Sequence, residues 1–304
     1  MWIKEPGKIV DGLDFIGTYE LSLYLLRGKE AMIIGGGMSY IAPSLEEQFP
    51  MIGLEPDKLK YLVILHSHFD HCGAVPYLKR KFPHMQVLAS AHTAEVLSKK
   101  KVVDYIYAAD KETVDRIGLQ SEYERLNLKF DGVQVDRVVA ENDIIDLGDG
   151  VEAHIIEVPG HTKCSIAVYV PKLKALFTAD SIPVPTDTVD HLCHPSPQYD
   201  LALYKESLEK MIDYDIEICT FEHHGAITGD QARKLLHESL RLTDELEKHI
   251  VELYQQTSDL DKIAQKLTDE RLEVNQFDFG SRDIWANVAK AEVRNVLRYA
   301  GLID

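Results

Sequence analysis

Imidazole and carboxylate side chains are concentrated within six positions, at His66, His68, Asp70 and His71. These are the nitrogen and oxygen ligands that a borderline divalent metal prefers. The apolar run 61–65 precedes them and a Cys-Gly pair follows, which predicts a buried strand that enters a tight loop. In a loop these side chains need not share one face, so they can divide between two adjacent ions. The cluster therefore predicts a metal site at a strand end.

Further residues with metal-binding side chains also follow apolar runs. His161 comes after a Pro-Gly turn that should expose it at the sheet edge. Asp180 ends another apolar run, where a carboxylate can bridge two metals or, alternatively, cap a helix. His223 and His224 follow a later run, and because adjacent side chains point in different directions we expect only one of them to bind. The segment with His191, Cys193 and His194 could form a small metal cluster, but we favour a pocket-lining loop.

The pattern of apolar runs predicts elements that can position these residues. Short runs between residues 8 and 34 predict a strand meander, and strands then alternate with helices as in α/β proteins. We predict a helical insertion over about 101–130, a last strand at 216–219 and helices from Asp230 to the end. Two β-rich halves with metal-type residues at strand ends predict a four-layer αβ/βα sandwich. The domain prediction is a catalytic unit at 1–229 and a helical cap at 230–304 that covers the site.

Composition limits the partners and the compartment. The 304 residues carry a net charge of −17, which argues against nucleic acid because phosphate binding needs clustered cations. The four cysteines have no spacing typical of a zinc knuckle or a disulfide framework. We find no stretch typical of a signal peptide or a membrane span, so we expect a cytoplasmic protein without a membrane partner. A small-molecule substrate is expected, with a homodimer as an option for assembly.

The His-x-His-x-Asp-His motif after a hydrophobic strand resembles the signature of metallo-β-lactamase fold hydrolases. The runs 68–73, 76–78 and 86–90 are similar to the PqsE-like thioesterase subgroup, and Phe279-Gly280-Ser281 resemble one of its pocket segments. The family's strand before the motif often ends with an aspartate, which is absent here after Ile34. This absence predicts a weaker orientation of one ligand.

The resemblance implies two divalent ions, with zinc, iron and manganese all open. It places the first ion on His66, His68 and His161 and the second on Asp70, His71 and His223, with Asp180 between them. Its register, aligned through Gly229, selects His223, and His224 then lines the pocket.

The implied reaction is hydrolysis by a hydroxide shared between the ions, with Asp70 as the catalytic proton acceptor. The resemblance implies an acyl thioester or ester as substrate, hence a thioesterase or esterase. A lactonase or phosphodiesterase would use the same ligands. A regulatory protein that acts through its helical surface is a further alternative.

Overall fold

The computed structural model describes residues 1–274 and 281–304, so Phe279 and Gly280 of the pocket segment lie outside the described residues. Two seven-stranded sheets form its centre. In spatial order, the first sheet contains β2 (Gly7–Val10), β3 (Leu13–Gly17), β4 (Ser22–Arg27), β5 (Ala31–Ile34), β6 (Leu59–Val63), β7 (Gln86–Ser90) and β8 (Arg137–Val139). The second contains β1 (Trp2–Ile3), β14 (Ala226–Thr228), β13 (Ile218–Thr220), β12 (Ala175–Phe177), β11 (Ile166–Val170), β10 (Glu152–Glu157) and β9 (Ile144–Asp146).

Helices cover the outer faces of both sheets, and further helices follow near the C-terminus. They are α1 (Ala42–Met51), α2 (Val75–Lys81), α3 (Ala91–Leu97), α4 (Lys100–Arg116), α5 (Gln120–Arg125), α6 (Leu201–Ile212), α7 (Asp230–Gln256), α8 (Leu260–Val274) and α9 (Arg282–Tyr299). None of the helices described in 1–274 and 281–304 combines the length and the apolar character needed to cross a bilayer.

Three apolar cores separate four layers. The central core lies between the sheets and contains side chains such as Phe15, Val63 and Phe177. A second core joins the first sheet to α1, α2 and α4, and a third joins the second sheet to α6 and the first half of α7. The central strands of the sheets, such as β5 and β12, are buried on both faces and wholly apolar. The predicted αβ/βα sandwich is therefore confirmed.

The C-terminal helices form a fourth core of their own. Its side chains come from the second half of α7 and from α8 and α9, with Leu201 at the start of α6. The first half of α7 instead packs on the second sheet through residues such as Leu235 and Leu236. One long helix thus belongs to both the sandwich and the C-terminal extension.

Several local predictions agree with the structure and one is wrong. The meander is confirmed, since β2 to β5 pair antiparallel, and β5 to β8 then pair in parallel. The helices of the 101–130 segment end at Arg125. The strand predicted at 216–219 is not the last one, because β14 follows it and pairs with both β13 and β1. One of the two partners of this short strand, β1, lies at the other end of the chain.

Candidate metal centre

The loops that follow four strands meet at one edge of the sandwich. His66 to His71 follow β6, and His161 follows β10. Asp180 follows β12, and His223 follows β13, which runs parallel to β12. The C-terminal ends of two neighbouring parallel strands lie at the same edge of the sheet, so the loops that follow β12 and β13 are adjacent. The topology therefore brings together residues that are far apart in the chain.

Asp180 lies at the centre of the cluster. Its Oδ2 atom is 3.7 Å from Nε2 of His66 and 3.2 Å from Nε2 of His71. The same oxygen is 3.6 Å from Nε2 of both His161 and His223. The preceding Ala179 has a positive φ of 51°, which turns the backbone at this point. One carboxylate oxygen thus faces four imidazole nitrogens.

The remaining predicted ligands complete two groups around this carboxylate. His68 Nδ1 lies 3.1 Å from His161 Nε2. On the other side, Asp70 Oδ2 lies 3.2 Å from His71 Nε2 and 3.5 Å from His223 Nε2. Potential ligand atoms lie within 4.8 Å of one another in the groups His66, His68, His161, Asp180 and Asp70, His71, His223. All seven sequence-predicted residues are therefore brought together.

The outward-facing ring nitrogens are held by oxygen atoms that can only accept hydrogen bonds. His161 Nδ1 donates to the carbonyl of Ser196 at 2.8 Å, and His223 Nδ1 donates to the carbonyl of Glu20 at 2.6 Å. Since Nδ1 carries the proton in both rings, Nε2 presents a lone pair to the centre. This is the orientation of a metal-binding histidine with a fixed tautomer.

Unpaired buried atoms indicate that a cation fits between these groups. His66 Nε2, His71 Nε2 and Asp180 Oδ1 are buried, and no hydrogen-bond partner for them lies among residues 1–274 and 281–304. Buried polar atoms without partners are costly, and a metal ion would satisfy nitrogen and carboxylate donors together. The donor set therefore fits the divalent ions that the sequence predicts.

Electrostatics divide the histidines into two classes. Burial lowers the pKa of His161 to about 4 and that of His68 well below its usual range, an effect that nearby histidines reinforce for His68. For His71, burial also lowers the pKa, but Asp70, Glu222 and Asp180 outweigh it and the net pKa is raised. Burial raises the pKa of Asp180, yet His71 and His223 bring the net value well below normal. The carboxylates are therefore ionised and can serve as ligands.

The two adjacent histidines of the last loop point in different directions. His223 faces the cluster, whereas His224 Nδ1 donates to the carbonyl of Pro185 at 2.6 Å. The His224 ring stacks on Tyr19 at a centroid distance of 4.5 Å. His224 also has a positive φ of 62°, which separates the directions of the two side chains. The geometry thus agrees with the predicted choice of His223, and His224 is absent from the residues that line the cavity.

The alternative cluster of His191, Cys193 and His194 does not assemble among the described residues. His191 is exposed and contacts Asp187, whereas Cys193 and His194 line the cavity beside the centre. Burial raises the pKa of Cys193 to about 11, so this thiol is protonated near neutral pH. The segment therefore matches the favoured prediction of a pocket-lining loop.

Sequence reasoning missed Glu222, which directly precedes His223. Its carboxylate is buried and contacts the Nδ1 atoms of His66 and His71. An acidic residue directly after a buried strand and next to two histidines was the available signal. Glu222 thus places a carboxylate beside two of the histidines, although no aspartate follows Ile34.

A cavity of about 310 Å³ opens beside the cluster, and Asp70, Asp180 and His223 form part of its wall. The remaining wall is mainly apolar and comes from α4, the loop after Asp180, and α9: Val102, Tyr105, Ile106, Ile182, Pro183, Val184, Ile284, Trp285 and Val288. Helices α4 and α9 therefore shape the access to the centre, as predicted for the C-terminal extension.

The sequence matches the family model of the metallo-beta-lactamase superfamily over residues 18–223. It is 29% identical over 226 residues to the metallo-beta-lactamase fold-containing protein ST1585 of Sulfurisphaera tokodaii, covering 72% of this chain and 77% of that protein. It is 26% identical over 170 residues to the acyl-coenzyme A thioesterase MBLAC2 of Gallus gallus, covering 53% of this chain and 57% of that protein.

The structure is similar to the crystal structure of the metallo-beta-lactamase family protein TTHA1429 from Thermus thermophilus. The TM-score is 0.65 at 16% sequence identity, and the match covers 97% of this chain and 95% of that chain. At this identity the likeness concerns the fold.

Proposed function

Since this chain belongs to the metallo-β-lactamase superfamily, we propose that it is a hydrolase that uses two divalent metal ions to cleave an acyl thioester or ester. The observation that carries the proposal is the position of Asp180, whose Oδ2 lies within 3.2 to 3.7 Å of four histidine Nε2 atoms. A carboxylate in such a position can serve two ions at once, which suits a dinuclear centre.

Each ion would have its own group of side chains. The first would be held by His66, His68 and His161 and the second by Asp70, His71 and His223, with Asp180 shared. Ions of this type, when bound, activate a water molecule and polarise the oxygen of the bond that is cleaved. Zinc, iron and manganese all accept nitrogen and carboxylate ligands, so we propose these three metals as candidates.

The side chains around the centre support water as the nucleophile. Cys193 lines the cavity, but its pKa of about 11 leaves little thiolate near neutral pH. Burial raises the pKa of Asp70, yet His71 and His223 bring the net value below its ordinary range. Asp70 is therefore ionised and can accept the proton released during hydrolysis.

The cavity favours an uncharged acyl group. Its walls are mainly apolar, and among the described lining residues Arg271 is the only lysine or arginine. One guanidinium nitrogen of Arg271 is paired with Glu292 at 2.8 Å. The apolar wall offers an acyl group more contact than it offers a phosphodiester, whose charge would be met mainly by the ions themselves, which makes a thioester or ester the better candidate. A relative named as an acyl-coenzyme A thioesterase and the resemblance to the PqsE-like subgroup agree with this choice.

We assign the catalytic unit to residues 1–229 and the cap to 230–304. Cap residues Trp285 and Val288 on α9 and Arg271 on α8 contribute to the cavity wall. In this proposal the cap selects the acyl group, while the loops of the sandwich carry out the reaction.

The two adjacent histidines provide a matched test. His223→Asn should reduce the metal content by about one ion per chain and lower activity more than about 100-fold, since it removes a ligand. His224→Asn should keep the metal content, because Asn tolerates the positive φ and can donate to the Pro185 carbonyl. Metal content is measured by elemental analysis of protein purified without added metal.

Activity is measured on the same samples with an acyl thioester, a lactone and bis-p-nitrophenyl phosphate. We expect turnover to be highest with the thioester or an ester. Wild-type protein without bound metal would refute the dinuclear centre, and equal metal contents in both variants would refute His223 as one of its ligands. A preference for the lactone or the phosphodiester would refute the proposed substrate.

A further inference from the structure

Glu222 contacts one histidine from each proposed metal group. Its Oε2 atom lies 3.1 Å from Nδ1 of His66, and its Oε1 atom lies 3.2 Å from Nδ1 of His71. The side chain is 3% exposed, so water does not compete strongly for the carboxylate. His66 belongs to the first group and His71 to the second.

The two contacts determine which ring nitrogens carry protons. An ionised carboxylate has no proton to donate, so a ring nitrogen facing it is favourable only as N–H. With Nδ1 held as N–H by Glu222, Nε2 is the ring nitrogen left for a metal ion, and in both rings it faces Asp180 Oδ2, at 3.7 Å from His66 and 3.2 Å from His71. Glu222 therefore favours the tautomer that can bind metal in both rings.

The backbone around Glu222 fixes the position of its side chain. The Ser22 N–H group donates to the Glu222 carbonyl at 2.8 Å, and the Gly225 N–H group donates to the Ser22 hydroxyl at 2.9 Å. The Tyr24 hydroxyl lies 2.7 Å from the Phe221 carbonyl oxygen, to which it can donate. The loop after β13 is thus attached to β4 of the opposite sheet.

Gly35 lies against the Glu222 carboxylate. A Cβ atom at this position would lie 3.4 Å from Glu222 Oε1, and the φ of +96° disfavours any other residue. Gly35 directly follows β5, the strand that in the resembling family often ends with an aspartate. The carboxylate beside the histidines thus comes from a different strand end.

We propose that Glu222 is a positioning residue that holds His66 and His71 in their metal-binding tautomers and thereby connects the loading of both ions. The inference rests on the proposed function, because it assigns Glu222 a role only if these histidines bind metal. It goes further by identifying one carboxylate on which both halves of the centre depend.

Glu222→Gln tests this role. The amide oxygen can accept a hydrogen bond from one ring, but the amide nitrogen facing the other ring donates a hydrogen bond and favours the opposite tautomer. We expect the variant to bind about one zinc ion where wild-type protein binds two, with affinity for the remaining ion reduced about 10- to 100-fold. Glu217→Gln, at an exposed carboxylate just before β13, is the matched control and should bind two ions with wild-type affinity.

A spectroscopic measurement keeps the test independent of activity and of the variant's folding. In zinc-loaded wild-type protein with ¹⁵N-labelled histidine, NMR should show His66 and His71 protonated at Nδ1. In Glu222→Gln, one of these two signals should be lost. Detection of either ring as the Nε2–H tautomer in wild-type protein would overturn the proposal even if the variant does not fold.

The outcomes separate this inference from the proposed function. If wild-type protein binds two zinc ions and Glu222→Gln binds two with unchanged affinity and tautomers, the role of Glu222 is refuted while the dinuclear centre stands. If wild-type protein binds none of zinc, iron and manganese, the proposed function itself fails.

Discussion

Asp110 forms hydrogen bonds that hold α4, a helix of the cavity wall, in position, and its substitution tests their contribution to stability. This residue lies within α4, and its carboxylate accepts hydrogen bonds from the backbone N–H and the hydroxyl of Ser39 at 2.8 and 2.5 Å. Helix α4 also contributes Val102 and Ile106 to the cavity wall. Burial raises the pKa of Asp110 from 3.8 to about 6, although the bonds from Ser39 lower it.

The magnitude and sign follow from this shift. The folded protein holds the Asp110 proton more tightly than the unfolded chain, so the contribution of Asp110 to stability falls as the pH rises from 3.8 to about 6. A difference of about two pKa units corresponds to about 3 kcal/mol. Asp110→Asn removes this titration and keeps an oxygen for the Ser39 N–H group. We therefore expect its free energy of unfolding, relative to wild type, to rise by about 3 kcal/mol between about pH 4 and about pH 7.

Urea unfolding at a series of pH values, followed by tryptophan fluorescence, measures this difference. A chelator in all samples removes metal release from the comparison, and the histidines of the centre titrate equally in both proteins. Asp115→Asn on the same helix is the control, because the hydrogen bond with Lys111 lowers the pKa of Asp115. The free energy of unfolding of this variant, relative to wild type, should therefore not rise with pH. If the difference in the free energy of unfolding between Asp110→Asn and wild type stays constant or falls as the pH rises, the reasoning is refuted.

Two further predictions concern packing around the centre. Gly160→Ala should destabilise the protein by about 3 kcal/mol, because the new Cβ would lie 2.3 Å from Cα of Tyr204 in α6. Gly53→Ala has open space around the new Cβ and should cost about 1 kcal/mol of backbone strain. Equal urea midpoints for the two variants would contradict this prediction. Glu292→Ala should destabilise the protein by about 3 to 5 kcal/mol, because it leaves Arg271 buried without its partner. Arg271→Met combined with Glu292→Met should recover most of that loss in the same assay, and a double variant as unstable as Glu292→Ala would contradict the prediction.

The sequence was most informative where the position of a side chain depends only on the residues next to it in the chain. An apolar strand followed by a turn places the next polar side chain at a sheet edge, and this pattern identified His66, His161 and Asp180 without knowledge of the sheet order. The choice of His223 over His224 came from the register of the resembling family, because spacing alone does not give the direction of a side chain, and the positive φ at His224 is visible only in the structure. Strand β14 was missed because its pairing with β1 depends on residues at the opposite end of the chain.

Glu222 shows why the support of a ligand is harder to predict than the ligand. It contacts His66 from 156 positions away in the sequence, and its backbone is bound by Ser22 of the other sheet. The missing aspartate is visible in the sequence, but a replacement from another strand appears only when both sheets are assembled.

A series of hydrogen bonds connects the C-terminal helices to the centre. His161 donates to the Ser196 carbonyl, the Ser196 hydroxyl donates to Glu292 on α9 at 2.7 Å, and Arg271 on α8 donates to the same carboxylate. The segment that orients a proposed ligand thus also anchors two helices of the cavity wall. A displacement of these helices would move Ser196 and with it the ring of His161, so the shape of the cavity and the geometry of the first metal group depend on each other.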